Sequence, residues 1–171
     1  MFTQWGGLVE KSILLVGAGG HSKAIIEMIE HGKLFGIAGL IDRRDSPISD
    51  VLGYPILGDD SSLASLSSKI TYAFPAIGFL NNQRMRDLLF EKLLVGGFRV
   101  PNIVSRRAYV SQHASVGSGN VVIHDATSSV ENVIGANKKI QTKSLMDHDV
   151  VIGHHNYIST GSVLNGAVKV G

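Results

Sequence analysis

One histidine in the chain has an aspartate on each side, and these three residues could carry acid–base chemistry. The segment reads Asp147-His148-Asp149. A carboxylate that binds one ring nitrogen of an imidazole orients the ring and raises its basicity. An imidazole held in this way can act as a general base near neutral pH. The alternative interpretation is an exposed histidine in a turn, without a catalytic role.

A glycine-rich turn near the start of the chain could bind a phosphate-containing ligand. The turn Gly17-Ala18-Gly19-Gly20-His21 follows the aliphatic run Ser12–Val16 and precedes an amphipathic segment that stops at Gly32. This order predicts strand, turn and helix, in which backbone N–H groups at the helix start face phosphates. Asp42 ends a second aliphatic run about twenty residues later, where an acid can meet a ribose or a base.

The same turn argues against a whole dinucleotide as the ligand. It lacks the third glycine of the dinucleotide fingerprint, because Ser22 follows His21. Few residues also remain for the sheet. The sequence therefore favours a smaller phosphate-containing ligand, and a nicotinamide-dependent oxidoreductase is kept as an alternative.

The other elements of the first hundred residues complete a small α/β domain. An apolar segment over 70–78 predicts a third strand, and Asp60 and Ser61 could cap a short helix. A longer helix is predicted over 82–94. We therefore expect residues 1–104 to form a Rossmann-like domain with a parallel sheet. The residues expected to point inward from the longer helix are Met85, Leu88, Leu89 and Leu93.

Apolar residues recur every six positions through the rest of the chain. Ten of the eleven are aliphatic or Met, and an apolar-Gly pair recurs every eighteen residues. A chain that turns three corners and then repeats is a triangular β-solenoid with one short strand per hexad. The apolar residue of each hexad points inward, and small or turn-forming residues release the corners. The repeated positions are Val110, Val116, Val122, Ser128, Ile134, Ile140, Met146, Ile152, Ile158, Leu164 and Val170.

This geometry places His148 near a corner of the prism. The residue lies two positions past the inward Met146, and Val130 and Gly166 occupy the equivalent positions one coil away. The glycine leaves space beside the imidazole. The same stacking places no histidine above another, so no metal site is predicted. A metal held by three copies of one histidine on a trimer axis is the alternative.

Composition excludes several classes of function. The 171 residues are 44% hydrophobic, include no cysteine and carry a formal net charge of +2. This charge is too small to indicate a nucleic-acid partner, and disulfides and thiolate chemistry are excluded. No apolar stretch reaches membrane length, and the amino-terminal segment does not read as a signal peptide. We expect a cytoplasmic protein.

Three segments together resemble the NeuD/PglD family of bacterial sugar O- and N-acetyltransferases. These segments are 15–21, Ile77-Gly78 and 146–153, and the resemblance extends over essentially the whole chain from residue 12 onward. It implies a left-handed parallel β-helix of hexapeptide repeats over 105–171, after a nucleotide-sugar-binding domain over 1–104. It also implies transfer of an acetyl group from acetyl-CoA to an amine or hydroxyl of a nucleotide-activated or sialic-acid-like sugar.

The resemblance implies roles for individual residues. His148 matches the general base, Asp149 matches the acid that raises its basicity, and Asp147 is the reserve for that role. Gly166 falls where the family brings acetyl-CoA against the coil, and Tyr157 stands where some members have a histidine near acetyl-CoA. The implied substrate-binding residues are Gly17, Gly19, Gly20, His21, Asp42, Gly78 and Gln141.

The family further implies a homotrimer whose active sites lie between neighbouring subunits. The hexad pattern stops in register at Val170-Gly171 without a capping element, so we expect a truncated chain or an unusually short member. A catalytically silent solenoid that binds a nucleotide sugar or builds an assembly is the competing hypothesis. The acceptor sugar, and the choice between N- and O-acetylation, stay open.

Overall fold

The first part of the chain is a small α/β unit in the computed structural model, which describes residues 11–78 and 83–171. A parallel sheet contains three strands in the order Gly36–Ile41, Ser12–Val16 and Tyr72–Pro75, and a short antiparallel hairpin pairs Asp50–Val51 with Tyr54–Pro55. The predicted Rossmann-like α/β fold is confirmed. The elements are β1 (Ser12–Val16), α1 (Gly20–Gly32), β2 (Gly36–Ile41), β3 (Asp50–Val51), β4 (Tyr54–Pro55), a 3-10 turn (Asp60–Ser62), α2 (Leu63–Ser67), β5 (Tyr72–Pro75) and α3 (Gln83–Val95).

The predicted strand, turn and helix are found at the start of this unit. β1 lies in the middle of the sheet, which is why its residues form an unbroken aliphatic run. Gly17 has a φ of +110° and donates its N–H to the carbonyl of Ile41, so a glycine is needed where the chain leaves the strand. α1 then ends at Gly32, as predicted, with Lys33 in the left-handed conformation.

Two details of the predicted helices are wrong. The carboxylate of Asp59, and not Asp60 or Ser61, caps the 3-10 turn, because it accepts the N–H of Ser61. On α3, Leu89 is buried as predicted, and so is Leu93, but Met85 and Leu88 are exposed.

The face of α3 that packs inward differs from the predicted face because it includes an arginine. Arg86 is fully buried, and its guanidinium donates hydrogen bonds to the carbonyls of Pro75 and Gly119. It also lies 5.3 Å from the centre of the Phe74 ring. Arg86 therefore joins α3 to the sheet and to the second region of the chain, which apolar periodicity alone does not reveal.

The second region winds into three stacks of short parallel strands, and each strand pairs with the one eighteen residues later. Face A contains β6, β9, β12 and β15; face B contains β7, β10, β13 and β16; face C contains β8, β11, β14 and β17. The predicted left-handed β-helix is confirmed. The strands are β6 (Ile103–Val104), β7 (Tyr109–Val110), β8 (Ser115–Val116), β9 (Val121–Val122), β10 (Thr127–Ser128), β11 (Val133–Ile134), β12 (Lys139–Ile140), β13 (Leu145–Met146), β14 (Val151–Ile152), β15 (Tyr157–Ile158), β16 (Val163–Leu164) and β17 (Lys169–Val170).

The hexad positions fill the prism as the spacing predicts. Apolar residues at these positions form one core, and the polar exception, Ser128, accepts a hydrogen bond from the buried amide of Asn132 at 3.0 Å. The glycines of the eighteen-residue period lie where coils approach closely. A Cβ added to Gly135 would lie 2.7 Å from the carbonyl oxygen of Gly153, so a side chain there would force the coils apart.

Face A is covered by the α/β unit. The outward residues Ile103 and Val121 belong to the same core as the sheet, and α1 packs against β6. Strand β6 belongs to face A of the prism, although it precedes residue 105. The division into domains over 1–104 and 105–171 stays a prediction. None of the described helices is long and apolar enough to cross a membrane.

Candidate active site

A cavity lies between the start of α1, the segment after β5 and face A of the prism. Its volume is about 480 Å³, within the range of small-molecule sites. The carboxyl ends of parallel strands meet the start of the next helix at this edge of the sheet. The lining residues are Gly20, His21, Ala24, Glu27, Gly78, Ile123, His124, Lys139, Gln141, Thr142 and Tyr157.

The cavity brings together five residues that the sequence singled out. Gly20, His21 and Gly78 come from the α/β unit, whereas Gln141 and Tyr157 come from the prism. Four of the residues implied to bind substrate therefore share one space with Tyr157, which the resemblance placed near acetyl-CoA.

His21 is an uncharged histidine in the wall of this cavity. Burial, together with the charges of Lys139 and Arg86, lowers its pKa to about 3. Its Nε2 atom is buried and has no hydrogen-bond partner among the described residues. A bound ligand could supply that partner, so His21 is suited to hydrogen bonding and not to charge pairing.

Other predicted binding residues lie outside the cavity lining. Gly17 is buried, and a Cβ added there would lie within 2.4 Å of the Ile77 side chain, so its conformation and packing both require glycine. Gly19 is exposed and precedes α1, and its carbonyl accepts hydrogen bonds from Ser22. Asp42 follows β2 and is half-buried. Their binding roles stay predictions.

The residues expected to perform proton transfer lie at another corner of the prism. The side chain of His148 is 55% exposed, and its Nδ1 lies 2.7 Å from Oδ2 of Asp149. Asp149 adopts a left-handed φ of 61°, a conformation that aspartate tolerates better than most residues. Asp147 accepts the backbone N–H of His148 at 2.9 Å. One carboxylate thus binds the ring, and the other binds the backbone.

Gly166 makes room for the imidazole one coil away. A Cβ added to Gly166 would lie 2.7 Å from both Cε1 and Nε2 of His148, so any larger residue would displace the ring. The space that the sequence predicted beside His148 is therefore occupied by the ring itself.

The two aspartates adjust the basicity of this histidine. The hydrogen bond to Asp149 raises the pKa of His148 above its ordinary value, and the charge of Asp147 acts in the same direction. With Nδ1–H donated to Asp149, Nε2 is the atom that can accept a proton from a substrate.

The cavity and His148 lie at opposite ends of face B. The cavity reaches the corner between faces A and B through Ile123 and Gln141, whereas His148 lies in the turn between β13 and β14, at the corner between faces B and C. His148 is therefore not among the residues that line the cavity of its own chain.

Comparison with known proteins agrees with the fold of the chain. Residues 12–93 match the model of the PglD N-terminal domain. Perosamine N-acetyltransferase from Caulobacter crescentus, in a histidine variant bound to CoA and GDP-perosamine, superposes with a TM-score of 0.86 at 29% identity over 96% of this chain and 76% of that one. The sequence resemblance is confirmed. The chain is a PglD/NeuD-like protein.

A second relative has the same architecture. The acetyltransferase domain of PglB from Neisseria gonorrhoeae, in complex with acetyl coenzyme A, superposes with a TM-score of 0.83 at 28% identity, over 93% of this chain and 75% of that one. Both relatives are acetyltransferases with CoA or acetyl-CoA bound. The expected class, an acetyl-CoA-dependent sugar acetyltransferase, is confirmed by these matches.

This PglD/NeuD-like chain also has cavity residues that the sequence did not single out. Lys139 is 7% exposed, and its Nζ lies 5.6 Å from the centre of the Tyr157 ring. His124 binds Ser105 Oγ through Nδ1 at 2.6 Å, and its Nε2 lies 4.0 Å from a carboxylate oxygen of Glu27. The hexad register identifies Lys139 as an outward residue one coil before Tyr157, but it does not show that the α/β unit covers this face.

The described residues were also compared with the requirements of a metal site. Within 11–78 and 83–171, no group of three or more His, Cys, Asp or Glu side chains could hold a metal ion. His154 and His155 lie over Ala136 and Asn137 of the preceding coil, since Ala136 donates its N–H to His154 and Asn137 contacts His155.

Proposed function

We propose that this protein transfers the acetyl group of acetyl-CoA to an amine or hydroxyl of a nucleotide-activated or sialic-acid-like sugar, in the synthesis of bacterial surface glycans. The hydrogen bond between His148 and Asp149 on an exposed corner carries the proposal, because it forms an oriented general base. The cavity beside His21 has the volume to hold the acceptor sugar. Both substrate classes are cytosolic metabolites, which supports a cytoplasmic location.

The proposed reaction needs one base and no covalent enzyme intermediate. The acceptor nitrogen or oxygen attacks the thioester carbonyl and loses its proton to Nε2 of His148. The carbon–sulfur bond then breaks, and the CoA thiolate takes the proton back. The carboxylate of Asp149 stabilises the imidazolium while it exists. A general base raises the reaction rate by about 10²- to 10⁴-fold, so positioning of the two substrates must supply the rest of the rate enhancement.

We further propose that the active protein is a homotrimer, with the cavity of one subunit facing His148 of the next. Face B supports this arrangement, because its outward apolar residues are exposed: Leu145 to 42% and Val163 to 63%. Face A, by contrast, is covered by the α/β unit. Packing of prisms side by side would bury face B and bring the corner between B and C of one copy beside the cavity of another.

The proposal is tested by replacing His148 with alanine. His148→Ala should lower kcat for acetyl transfer by about 10²- to 10⁴-fold, because only the base is removed. The exposed position and the glycine beneath it mean that folding should be preserved. The assay is mass spectrometry of products from a panel of UDP-4-amino sugars, CMP-sialic acid and free sialic acid, with acetyl-CoA as donor.

The matched control is His113→Ala, which removes an exposed histidine at a different coil of the same corner. This variant should transfer acetyl as the wild type does. A wild-type protein that binds a nucleotide sugar but acetylates no member of the panel would instead favour the catalytically silent solenoid.

A further inference from the structure

The cavity contains a buried cation, the ammonium group of Lys139. Lys139 points outward from β12 into the space between face A and α1. Among residues 11–78 and 83–171, no carboxylate forms an ion pair with its ammonium group. Burial and the nearby Arg86 charge both lower the pKa of Lys139, to about 8. The charge thus lies close to another cation and is largely removed from water.

The surroundings of Lys139 strengthen this imbalance. His21 contributes no negative charge, and the amino-terminal end of α1 at Gly20, which also lines the cavity, carries partial positive charge. The carboxylate that lines the cavity belongs to Glu27, whose side chain is 69% exposed and faces His124. Glu27 therefore lies at the rim and leaves the interior electropositive.

The adjacent lysine differs from Lys139 in the charges around it. Asp87 opposes the effect of burial on the pKa of Lys138, whereas Arg86 adds to the effect of burial on the pKa of Lys139. An uncompensated buried charge is unfavourable in a folded protein, and a bound anion would offset that cost.

We propose that Lys139 selects an acceptor that carries an anionic group, and that it binds this group inside the cavity. This inference rests on the proposed function and refines it, because it assigns the residue that binds the anionic group of the acceptor. Carboxylate and phosphate oxygens share the required chemistry, so the anion is either a carboxylate on the sugar or the diphosphate of an activated sugar. A neutral sugar would leave Lys139 unpaired.

The proposal is tested by titration calorimetry without acetyl transfer. Lys139→Met keeps the length of the side chain and removes its charge. The probes are N-acetylneuraminic acid, UDP, GDP, CoA and the neutral sugar glucose. The variant should lose about 10- to 100-fold in affinity for the sialic acid or for the nucleoside diphosphates, as expected for a charge-assisted hydrogen bond. Affinity for glucose should not change.

Two further variants separate a binding role from a structural one. Lys139→Arg should retain most of the affinity, and Lys23→Met, an exposed lysine on α1, should leave all affinities unchanged. Thermal unfolding checks that each variant is folded, and Lys139→Gln replaces the methionine variant if that one is not. A loss confined to the sialic acid identifies a carboxylate, and a loss confined to UDP or GDP identifies the diphosphate.

Several outcomes would overturn the proposal. They are equal affinities in Lys139→Met and the wild type, a loss confined to CoA, an equal loss in Lys23→Met, or no binding of either anion class by the wild type. Because binding is measured without catalysis, a failure here leaves the His148 test untouched. An inactive enzyme would likewise leave these affinities interpretable.

Discussion

Faces A and B of the prism are built from the same repeat but have different surroundings. The inward residues of both faces fill one apolar core. The outward residues differ: on face A they lie beneath the α/β unit and reach the cavity at Lys139, whereas on face B Leu145 and Val163 are exposed. The inward residue of each hexad therefore fills the interior of the prism. The residue just before it determines whether the face is covered by the α/β unit or exposed.

The largest effect is expected when a charge is placed on face B. Leu145→Lys should prevent the proposed trimer, because the outward position would be buried between subunits. Acetyl transfer should then fall by about 100-fold or more, because in the proposed trimer each site would lose the general base of the neighbouring subunit. Sedimentation velocity reports the oligomeric state, and the transfer assay reports the activity.

The matched control places the same charge on the α/β unit. Leu88 on α3 is 56% exposed, and Leu88→Lys should leave both the assembly and the activity unchanged. A wild-type protein that is fully active as a monomer would contradict the trimer.

A smaller effect is expected at the carboxylate that binds the imidazole. Asp149→Asn keeps the left-handed conformation, which asparagine also tolerates, and removes the negative charge. Because Asp149 raises the pKa of His148, the variant should move the acidic limb of the kcat/KM profile to lower pH. Its plateau should fall roughly 10-fold, since the base is weaker.

Asp125 provides the control for this experiment. It occupies the equivalent left-handed position of another hexad, and its carboxylate pairs with Arg107 and not with a histidine. Asp125→Asn should leave the pH profile in place. An acidic limb that does not move in Asp149→Asn would show that His148 is not the titrating base.

The smallest effect concerns stability beside face A. Lys138 is fully buried at an inward corner position where the neighbouring coils have Asn120 and Asn156, and its Nζ has no hydrogen-bond partner among the described residues. Lys138→Asn should therefore raise the free energy of unfolding at pH 7 by about 1 kcal/mol, the low end of the cost of an unsatisfied buried polar group. Urea denaturation measures this change.

The pH dependence of stability gives a second check on Lys138. Burial lowers its folded-state pKa to about 8 from 10.5, so the unfolded chain binds more protons between these values. The wild type should therefore become more stable as pH rises from 8 to 10.5. Lys139 has a pKa of about 8 for similar reasons, so Lys138→Asn should reduce this rise without abolishing it. An unchanged rise would contradict the account.

The hexads predicted the prism well because their signal is local and repeated. Every predicted inward position faces the interior, and the close contact at Gly135 explains the eighteen-residue period. The prediction was weaker where two regions meet. The four apolar residues on α3 do not define a single inward face. The hydrogen bonds of Arg86 to Pro75 and Gly119 show which face packs inward.

The candidate site was predictable residue by residue, and the family resemblance also implied a site shared between subunits. The sequence singled out His148, Asp149 and the residues around His21, and the structure places them at two corners. Lys139 was missed, because the hexad register shows that it points outward but not that the α/β unit covers face A. That coverage depends on contacts between distant parts of the chain.

The central claim, that one subunit supplies the cavity and the next supplies the base, is tested by mixing two inactive variants. His148→Ala lacks the base, whereas Gly20→Leu adds a side chain at the cavity wall, where a Cβ meets no atom within 4 Å. Trimers assembled from equal amounts should regain about one quarter of wild-type activity, since half of the bases and half of the cavities are intact. No recovery in mixed trimers, verified by mass, would contradict the account.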